Sequence, residues 1–144
     1  MIAFYRTNDL ESIVYRDALE IRKNVFVVEQ GVPENMEIDS EELAVHYVGY
    51  VDSKAVVTAR TVNEEDGAWH IQRVATLKEY RSKGYAKEIM KCIEEIAINE
   101  DIHYLTLGAQ DQAQDFYIKL GFNVSGEGFY DAGIAHHKMT KTLR

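Results

Sequence analysis

The sequence predicts an α/β fold built on a mixed sheet. Short β-rich runs alternate with two amphipathic helical stripes, three of the runs follow one another across tight turns, and the length of 144 residues fits a single domain. Tight turns join antiparallel strands, whereas a parallel pair needs a long crossover such as a helix. The predicted element order is therefore β-α-β-β-β-α-β-α-β-β, in one domain over residues 1–144.

The N-terminal part opens with a strand, a helix and a polar loop. Ile2 to Arg6 is the first strand candidate. Asn8-Asp9-Leu10-Glu11 resembles a capping box, in which a side-chain acceptor is followed three residues later by a glutamate. The apolar residues after it follow helical spacing, which predicts a helix to about Phe26. Residues 30–42 are mostly polar and predict a loop.

Three consecutive strands make up the middle of the chain. Val45 to Val51 and Ala55 to Val62 are β-rich and are joined by the turn Asp52-Ser53-Lys54, which predicts a hairpin. A second turn, Asn63 to Gly67, ends in Asp-Gly, a dipeptide typical of tight turns. It leads into a third strand, Ala68 to Thr76.

The C-terminal part alternates helices and strands. Apolar residues from Ala86 to Ala97 form one helical stripe, with charged residues opposite. Tyr104 to Leu107 is a short strand, and residues 113–120 predict a short helix that Gly121 ends as a C-cap. Two closing strands follow, near Phe122–Glu127 and at Ile134–Thr142.

Charge and composition exclude several classes of protein. The chain has 16 Lys and Arg against 24 Asp and Glu, a net charge of −8, so it lacks the basic surface of a nucleic-acid or anionic-membrane binder. No apolar run approaches the ~18 residues of a membrane span, and the N-terminal segment does not resemble a signal peptide. The single cysteine, Cys92, fits a reducing compartment. We expect a cytoplasmic protein.

The segment most informative about chemistry joins the third central strand to the long helix. Gly84 and Ala86 are small, so a ligand can approach the backbone N–H groups at the helix N-terminus, where the helix dipole favours an anion. Arg81 and Lys83 add positive charge. These residues suit a pyrophosphate cradle, although neither the P-loop nor the dinucleotide-binding pattern is present. The alternative is that the small residues ease helix packing and the two cations are solvated.

Two motifs resemble a known family. Arg81-x-x-Gly84-x-Ala86 matches the acetyl-coenzyme A motif [QR]-x-x-G-x-[GA] of the GNAT N-acetyltransferase superfamily, and residues 113–122 resemble its pattern A-x-x-F-Y-x-x-x-G-F. Further segments resemble the ElaA-like subgroup: residues 25–33, His46, residues 108–110 and residues 126–136. The resemblance implies a mostly antiparallel mixed sheet, splayed at a central V-shaped cleft.

The resemblance also implies which residues hold acetyl-coenzyme A. The strand end, Val74, Ala75 and Thr76, pairs with the pantetheine arm, and a backbone N–H near Val74 polarises the thioester carbonyl. Gln110 contacts the pantetheine, the alternative being a loop cap. The pyrophosphate is held by Arg81, Ser82, Lys83, Gly84, Tyr85 and Ala86.

Tyr117 occupies the position of the family's general acid. A phenol near the sulfur protonates or stabilises the departing thiolate. The alternative is a core aromatic residue beside Phe116 on the same short helix.

The general base is open between several candidates. His70 lies where some relatives have a catalytic glutamate, and its ordinary pKa of ~6.5 suits a base. Strict alternation would put His70 on one face with Gln72 and Val74, and Arg73 on the other face with Trp69 and Ile71. Glu29 and a chain of waters are competing bases.

The remaining histidines offer no clear metal site. His46, His136 and His137 lie on other strands, and a structural hydrogen bond is at least as good an interpretation for each. No spacing typical of metal ligands is present, so no metal is expected.

The resemblance implies an acetyl-coenzyme A-dependent N-acetyltransferase that moves an acetyl group to a primary amine by direct attack in a ternary complex. The acceptor would be a small-molecule or peptide amine, and the alternative is a non-catalytic acyl-coenzyme A-binding or sensing protein. The acidic residues of the loop either attract a cationic acceptor or are simply solvated: Glu34, Glu37, Asp39, Glu41 and Glu42. A monomer and a homodimer both fit.

Overall fold

The computed structural model describes residues 1–131 and 133–143, so Ala132 of the subgroup signature lies outside the described residues. Seven strands form one mixed sheet in the order β1-β2-β3-β4-β5-β7-β6. The strands are β1 Ile2–Thr7, β2 Ala44–Val51, β3 Lys54–Glu64, β4 Ala68–Thr76, β5 Tyr104–Gln110, β6 Asn123–Asp131 and β7 Ile134–Thr142. The helices are α1 Ile13–Arg22, α2 Glu34–Glu37, α3 Tyr85–Asn99 and α4 Gln114–Lys119. The predicted fold class is confirmed, and α2 is an addition within the predicted loop.

The first helix begins later than the sequence predicts. Ser12 is its N-cap, and the Ser12 hydroxyl accepts a hydrogen bond from the Tyr15 N–H at 3.2 Å. The predicted capping box at residues 8–11 is wrong, because the Asp9 carboxylate accepts from the Glu11 N–H within a turn that precedes the helix. After α1 the chain continues as a π-helical segment, Lys23–Glu29.

The sheet opens between its two parallel strands. β4 and β5 pair from Ala68↔Tyr104 to Ile71↔Leu107, and then both strands continue without pairing to each other. All the other strand pairs are antiparallel. The predicted V-shaped cleft is therefore confirmed, and its walls are the C-terminal ends of β4 and β5.

A β-bulge interrupts β4 at the mouth of the cleft. Thr58 pairs with Ala75 and Arg60 with Gln72, so Arg73 and Val74 together face the single residue Ala59. Arg73 has φ of +57°, and its side chain reaches Glu37, whereas Val74 packs into the core cluster on the other face. The predicted strict alternation is thus wrong at both bulged residues, because the extra residue reverses the order of the faces.

Two apolar clusters hold helices on opposite faces of the sheet. Side chains of β4 and β5, such as Ile71 and Leu107, pack with Ile89 and Ile93 of α3. On the other face, α1 packs with Val48 and its neighbours. Burial of these apolar surfaces is the main driving force for the arrangement. None of the described helices is both long enough and apolar enough to cross a bilayer.

Candidate active site

A cavity of about 510 Å³ occupies the opening between β4 and β5. Residues 70–74 line one wall and residues 107–110 line the other. The cavity brings together four residues predicted from sequence: His70, Val74, Gln110 and Tyr117. Glu29, the competing candidate for the base, does not line it.

The turn before α3 presents bare backbone to solvent. Gly84 has φ of +85°, a left-handed conformation that glycine adopts without strain, and it precedes α3 with no side chain capping the helix. A Cβ atom at Gly84 would meet nothing within 4 Å. Residues 81–84 are exposed, so the first N–H groups of the helix border open space and favour an anionic group.

Arg81 is held at this turn by two sets of hydrogen bonds. Its Nε donates to the Thr76 carbonyl at 3.0 Å, and its two Nη groups donate to the Glu29 carboxylate at 2.9 and 2.5 Å. These bonds lower the pKa of Glu29 below its ordinary value. Glu29 is therefore an anion paired beside the cradle, which is a poor arrangement for taking a proton from an ammonium group.

Tyr117 lies in an aromatic corner of the cavity. Its ring packs edge-to-face against Phe116 and Phe122, with centroids 4.9 and 6.0 Å apart. Burial raises the pKa of Tyr117 to about 12, so the phenol keeps its proton at neutral pH. Gly121, with φ of +97°, ends α4 as the sequence predicts, and the Phe122 N–H closes the turn onto the Tyr117 carbonyl.

His70 is oriented by two neighbours. Its Nδ1 lies 2.8 Å from the Thr106 hydroxyl oxygen and 3.2 Å from Glu64 Oε2, while the Thr106 hydroxyl donates to Glu64 Oε1 at 3.0 Å. Because the hydroxyl proton goes to the carboxylate, the hydroxyl oxygen accepts from Nδ1–H. The other nitrogen, Nε2, then carries the lone pair, and no hydrogen bond joins it to the described part of the chain.

The charges around His70 act in opposite directions. Burial is the largest influence and lowers the pKa of His70 below its ordinary value. The Glu64 carboxylate opposes this lowering, and the positive charges of Lys138 and Arg60 add to it. His70 is therefore largely neutral at pH 7, the form that accepts a proton.

Glu64 and Thr106 are not among the site residues predicted from the sequence. Glu64 falls in the predicted second turn, and the strand in fact extends through it. Thr106 falls in a predicted strand with nothing to mark it as part of a site. Thr106 could have been identified only from the parallel pairing of β4 with β5, because the observed register puts Thr106 opposite His70.

Two residues of the acidic loop are buried, so the interpretation of the whole loop as simply solvated is wrong for these two. Glu37 and Glu41 are buried against Arg22: Arg22 Nε donates to Glu37 at 2.6 Å, and Arg22 Nη2 donates to Glu41 at 2.6 Å. Arg60 Nη1 also donates to Glu41, at 3.1 Å. Burial of Arg22 requires these partners, since an unpaired buried charge is strongly unfavourable. The other acidic residues of the loop, Glu34, Asp39 and Glu42, are exposed.

The remaining predicted residues make local contacts. Gln110 Nε2 donates to Gln30 Oε1 at 3.3 Å. His46 is buried, its Nε2 lies 3.1 Å from the Glu41 carbonyl oxygen, and burial lowers its pKa. His136 stacks on Phe129 in the cavity wall. Within residues 1–131 and 133–143, no three His, Cys, Asp or Glu side chains form a group that could hold a metal ion.

Comparison with known proteins places this chain in a family. The Acetyltransferase (GNAT) domain family matches residues 11–143. YjcF of Bacillus subtilis, named an uncharacterized N-acetyltransferase, is 39% identical over 127 residues, covering 88% of this chain and 91% of its own.

Solved structures agree in fold. Escherichia coli ElaA has a TM-score of 0.84 and 27% identity, covering 98% of this chain and 99% of its own. An acyl-CoA N-acyltransferase from Pseudomonas aeruginosa has a TM-score of 0.86 and 23% identity, with 98% and 99% coverage. The resemblance inferred from sequence is confirmed, and so is the prediction of an acetyltransferase. The chain belongs to the GNAT acetyltransferase family.

Proposed function

We propose that the protein transfers an acetyl group from acetyl-coenzyme A to a primary amine by direct attack in a ternary complex. The observation that carries this proposal is the opening between β4 and β5: a neutral, oriented histidine lies on its wall, and the exposed turn before α3 is tied to the end of β4 by the hydrogen bond from Arg81 to the Thr76 carbonyl. Acetyl-coenzyme A supplies the thioester carbonyl that the amine attacks.

The residues fit that co-substrate. Gly84 leaves open space at the uncapped N-terminus of α3, where a pyrophosphate would be held by residues 81–86. The unpaired ends of β4 and β5 leave backbone groups free to pair with an extended amide chain, in the manner of an added strand. Val74, Ala75, Thr76 and Gln110 lie along those ends and are the proposed contacts of the pantetheine arm.

The amine acceptor must lose a proton before it attacks, because an alkylammonium has a pKa near ~10.4. His70 Nε2 is the proposed acceptor of that proton, with Glu64 and Thr106 fixing the tautomer. We prefer His70 to Glu29, because the Glu29 carboxylate is paired with Arg81 outside the cavity.

Two further groups complete the proposed chemistry. The bulge at Arg73 and Val74 interrupts the β3–β4 ladder, and a backbone N–H there is the proposed donor to the thioester carbonyl. The Tyr117 phenol, kept protonated by burial, is the proposed donor to the departing sulfur. Direct attack is favoured over an acyl-enzyme because Cys92 lies on α3 and does not line the cavity.

The test is release of free thiol from acetyl-coenzyme A in the presence of a panel of amines, with calorimetry of co-substrate binding alongside. Acetylation of at least one amine class, identified by mass, is expected. Binding without turnover over a broad panel would instead support an acyl-coenzyme A-binding or sensing protein, and failure to bind at all would contradict both.

A further inference from the structure

We propose that the amine acceptor also carries a carboxylate, which Arg73 and Gln72 bind at the β4 bulge. This inference rests on the proposed function and names the class of its acceptor: an amino acid rather than a simple amine or a polyamine. It contradicts the expectation that the acidic loop attracts a purely cationic acceptor, because the loop's buried carboxylates are already paired.

The bulge directs the Arg73 side chain towards the side of the cleft where we propose that the amine acceptor binds. With φ of +57°, Arg73 adopts a left-handed conformation that non-glycine residues seldom adopt. Its guanidinium lies beside α2 rather than against α3, and it lines both the cleft cavity and a second cavity of about 830 Å³. Gln72, Met36 and Asp131 also line both cavities, so the two lie side by side at the bulge.

One edge of the Arg73 guanidinium is left for a ligand. Nε lies 3.1 Å from Glu37 Oε1, and Nη2 donates to the Met36 and Glu37 carbonyls at 3.4 Å. No hydrogen bond joins Nη1 to any residue in the described part of the chain. Its two N–H groups are therefore available to an acceptor oxygen.

Gln72 supplies a second unused donor beside it. Gln72 Oε1 accepts from Arg60 Nε at 2.9 Å, which fixes the amide so that Nε2 points away from Arg60. Nε2 has no hydrogen-bond partner among residues 1–131 and 133–143. A carboxylate accepts hydrogen bonds only, and it binds a guanidinium more strongly than a neutral acceptor does.

The charge of the surrounding network also favours an anion. Within the described ranges, Arg22, Arg60 and Arg73 share two buried carboxylates, those of Glu37 and Glu41. Of the three arginine side chains, Arg73 is the accessible one, 20% exposed against 1% and 3% for the others. The network therefore carries a net positive charge, and Arg73 is the residue at which a ligand can contact it.

Nearby aspartates do not cancel this surplus at contact distance. Asp39 and Asp131 are exposed and line the second cavity, and Asp131 also lines the cleft cavity; neither forms an ion pair with any described residue. Among the described residues, the Nη1 edge of Arg73 therefore has no carboxylate partner.

The spacing along β4 fits one small molecule. His70 and Gln72 are two residues apart on one face of a strand, a separation of about 7 Å. An amine at His70 and a carboxylate at Gln72 and Arg73 are thus separated by a spacer of a few carbons. An ω-amino acid fits this spacing better than a short alkylamine, which would leave both donors unpaired.

The experiment compares matched acceptors. Thiol release is measured with a series of ω-amino acids of three to six carbons and with their carboxamides, which have the same length and shape but no charge and one acceptor oxygen fewer. The wild-type protein is expected to favour the best acid over its amide by about tenfold or more in kcat/KM. Equal rates, or a preference for amides or diamines, would overturn the proposal while leaving the acetyltransferase function intact.

Arg73→Gln is expected to reduce the acid-to-amide ratio to about one. The fold should survive, because Glu37 keeps its 2.6 Å hydrogen bond to Arg22. Arg73→Lys retains the charge without the forked donor, and it is expected to give an intermediate ratio. Arg6→Gln is the matched control, since Arg6 is an exposed arginine paired with Glu100 outside both cavities. Persistence of the wild-type ratio in Arg73→Gln contradicts the proposal.

A second readout does not depend on turnover. Calorimetry with coenzyme A present compares the N-acetylated acid and its amide as ligands. Tighter binding of the acid that is lost in Arg73→Gln supports the carboxylate site even if no free amine is acetylated. Equal binding of the two compounds overturns it.

Discussion

The two halves of the cleft are built in different ways. The proposed pyrophosphate cradle, residues 81–86, is six consecutive residues, largely exposed, at a turn and a helix start. The acceptor half, where we propose that the amine binds, gathers His70, Thr106 and Glu64 from three strands, and behind them lie ion pairs buried between α1, α2 and β3. A substitution in the local half should change ligand affinity alone, whereas a substitution in the dispersed half should also disturb the fold. The two halves should therefore respond differently to substitution.

The largest effect is expected from Gly84→Glu. The new carboxylate fills the open space at the N-terminus of α3 and repels a pyrophosphate, so acetyl-coenzyme A affinity should fall by about 100-fold or more in calorimetry. Gly126→Glu is the matched control, because Gly126 also has positive φ, of +90°, with nothing near its Cβ position. If Gly84→Glu binds acetyl-coenzyme A as tightly as Gly126→Glu and the wild type do, the pyrophosphate is not held at Gly84.

His70→Gln should act on turnover instead. The amide can keep the hydrogen bond to Thr106 but cannot take a proton from the ammonium, so kcat/KM should fall by about 100-fold to 1000-fold with co-substrate affinity retained. His103→Gln, at an exposed histidine outside both cavities, controls for loss of an imidazole. Unchanged turnover would move the base to Glu29 or to water.

Tyr117→Phe is expected to have a smaller effect. At neutral pH, departure of the thiolate needs less help than loss of the proton from an ammonium, so the phenol contributes less than the base. Loss of the phenol should lower kcat by about tenfold to 100-fold. Co-substrate affinity by calorimetry should change little. Tyr104→Phe, on the paired part of β5 away from the cavity, is the control. Wild-type kcat in Tyr117→Phe would show that this ring is only a packing residue.

The smallest effects concern pH. His70 must be neutral to act, and burial lowers its pKa, so kcat/KM should rise with pH through a value below the ordinary ~6.5 and level off above it. Glu64→Gln removes a charge that raises this pKa and should move the acidic limb to lower pH. Lys138→Gln removes a charge that lowers it and should move the limb to higher pH. Shifts in the same direction, or none, would contradict the assignment to His70.

The difference between a local half and a dispersed half also explains which features could be predicted from the sequence. The turn before α3 was predictable, because Arg81, Gly84 and Ala86 are close in the chain and their spacing alone defines a turn before a helix; the role of this turn as a pyrophosphate cradle stays a prediction. Gly121 was predictable for the same reason, since a glycine after an apolar helical stripe is a local signal for a helix end.

The acceptor half was not predictable from local patterns. Thr106 is 36 residues from His70 and 42 residues from Glu64, and it meets both only because β5 pairs with β4 in this register, whereas Glu64 reaches His70 across the β3–β4 hairpin. The bulge at Arg73 has no glycine to signal it, and one extra residue reverses the facing of every later side chain on the strand. Burial of Glu37 depends on hydrogen bonds from Arg22, which lies 15 residues away in the chain, so no local pattern around Glu37 predicts it.

The opening between β4 and β5 has a consequence for how the protein behaves in a crowded solution. A strand edge exposed at the side of a sheet invites pairing with other chains and is a common start of aggregation. Here two such edges face each other inside the molecule, paired as far as Ile71 and Leu107 and walled by the rest of the sheet. We expect a single extended amide chain to fit between these walls more readily than a second protein strand, whose side chains project from both of its faces. The unpaired backbone of the opening should therefore be accessible to the proposed co-substrate and less accessible to other copies of the protein.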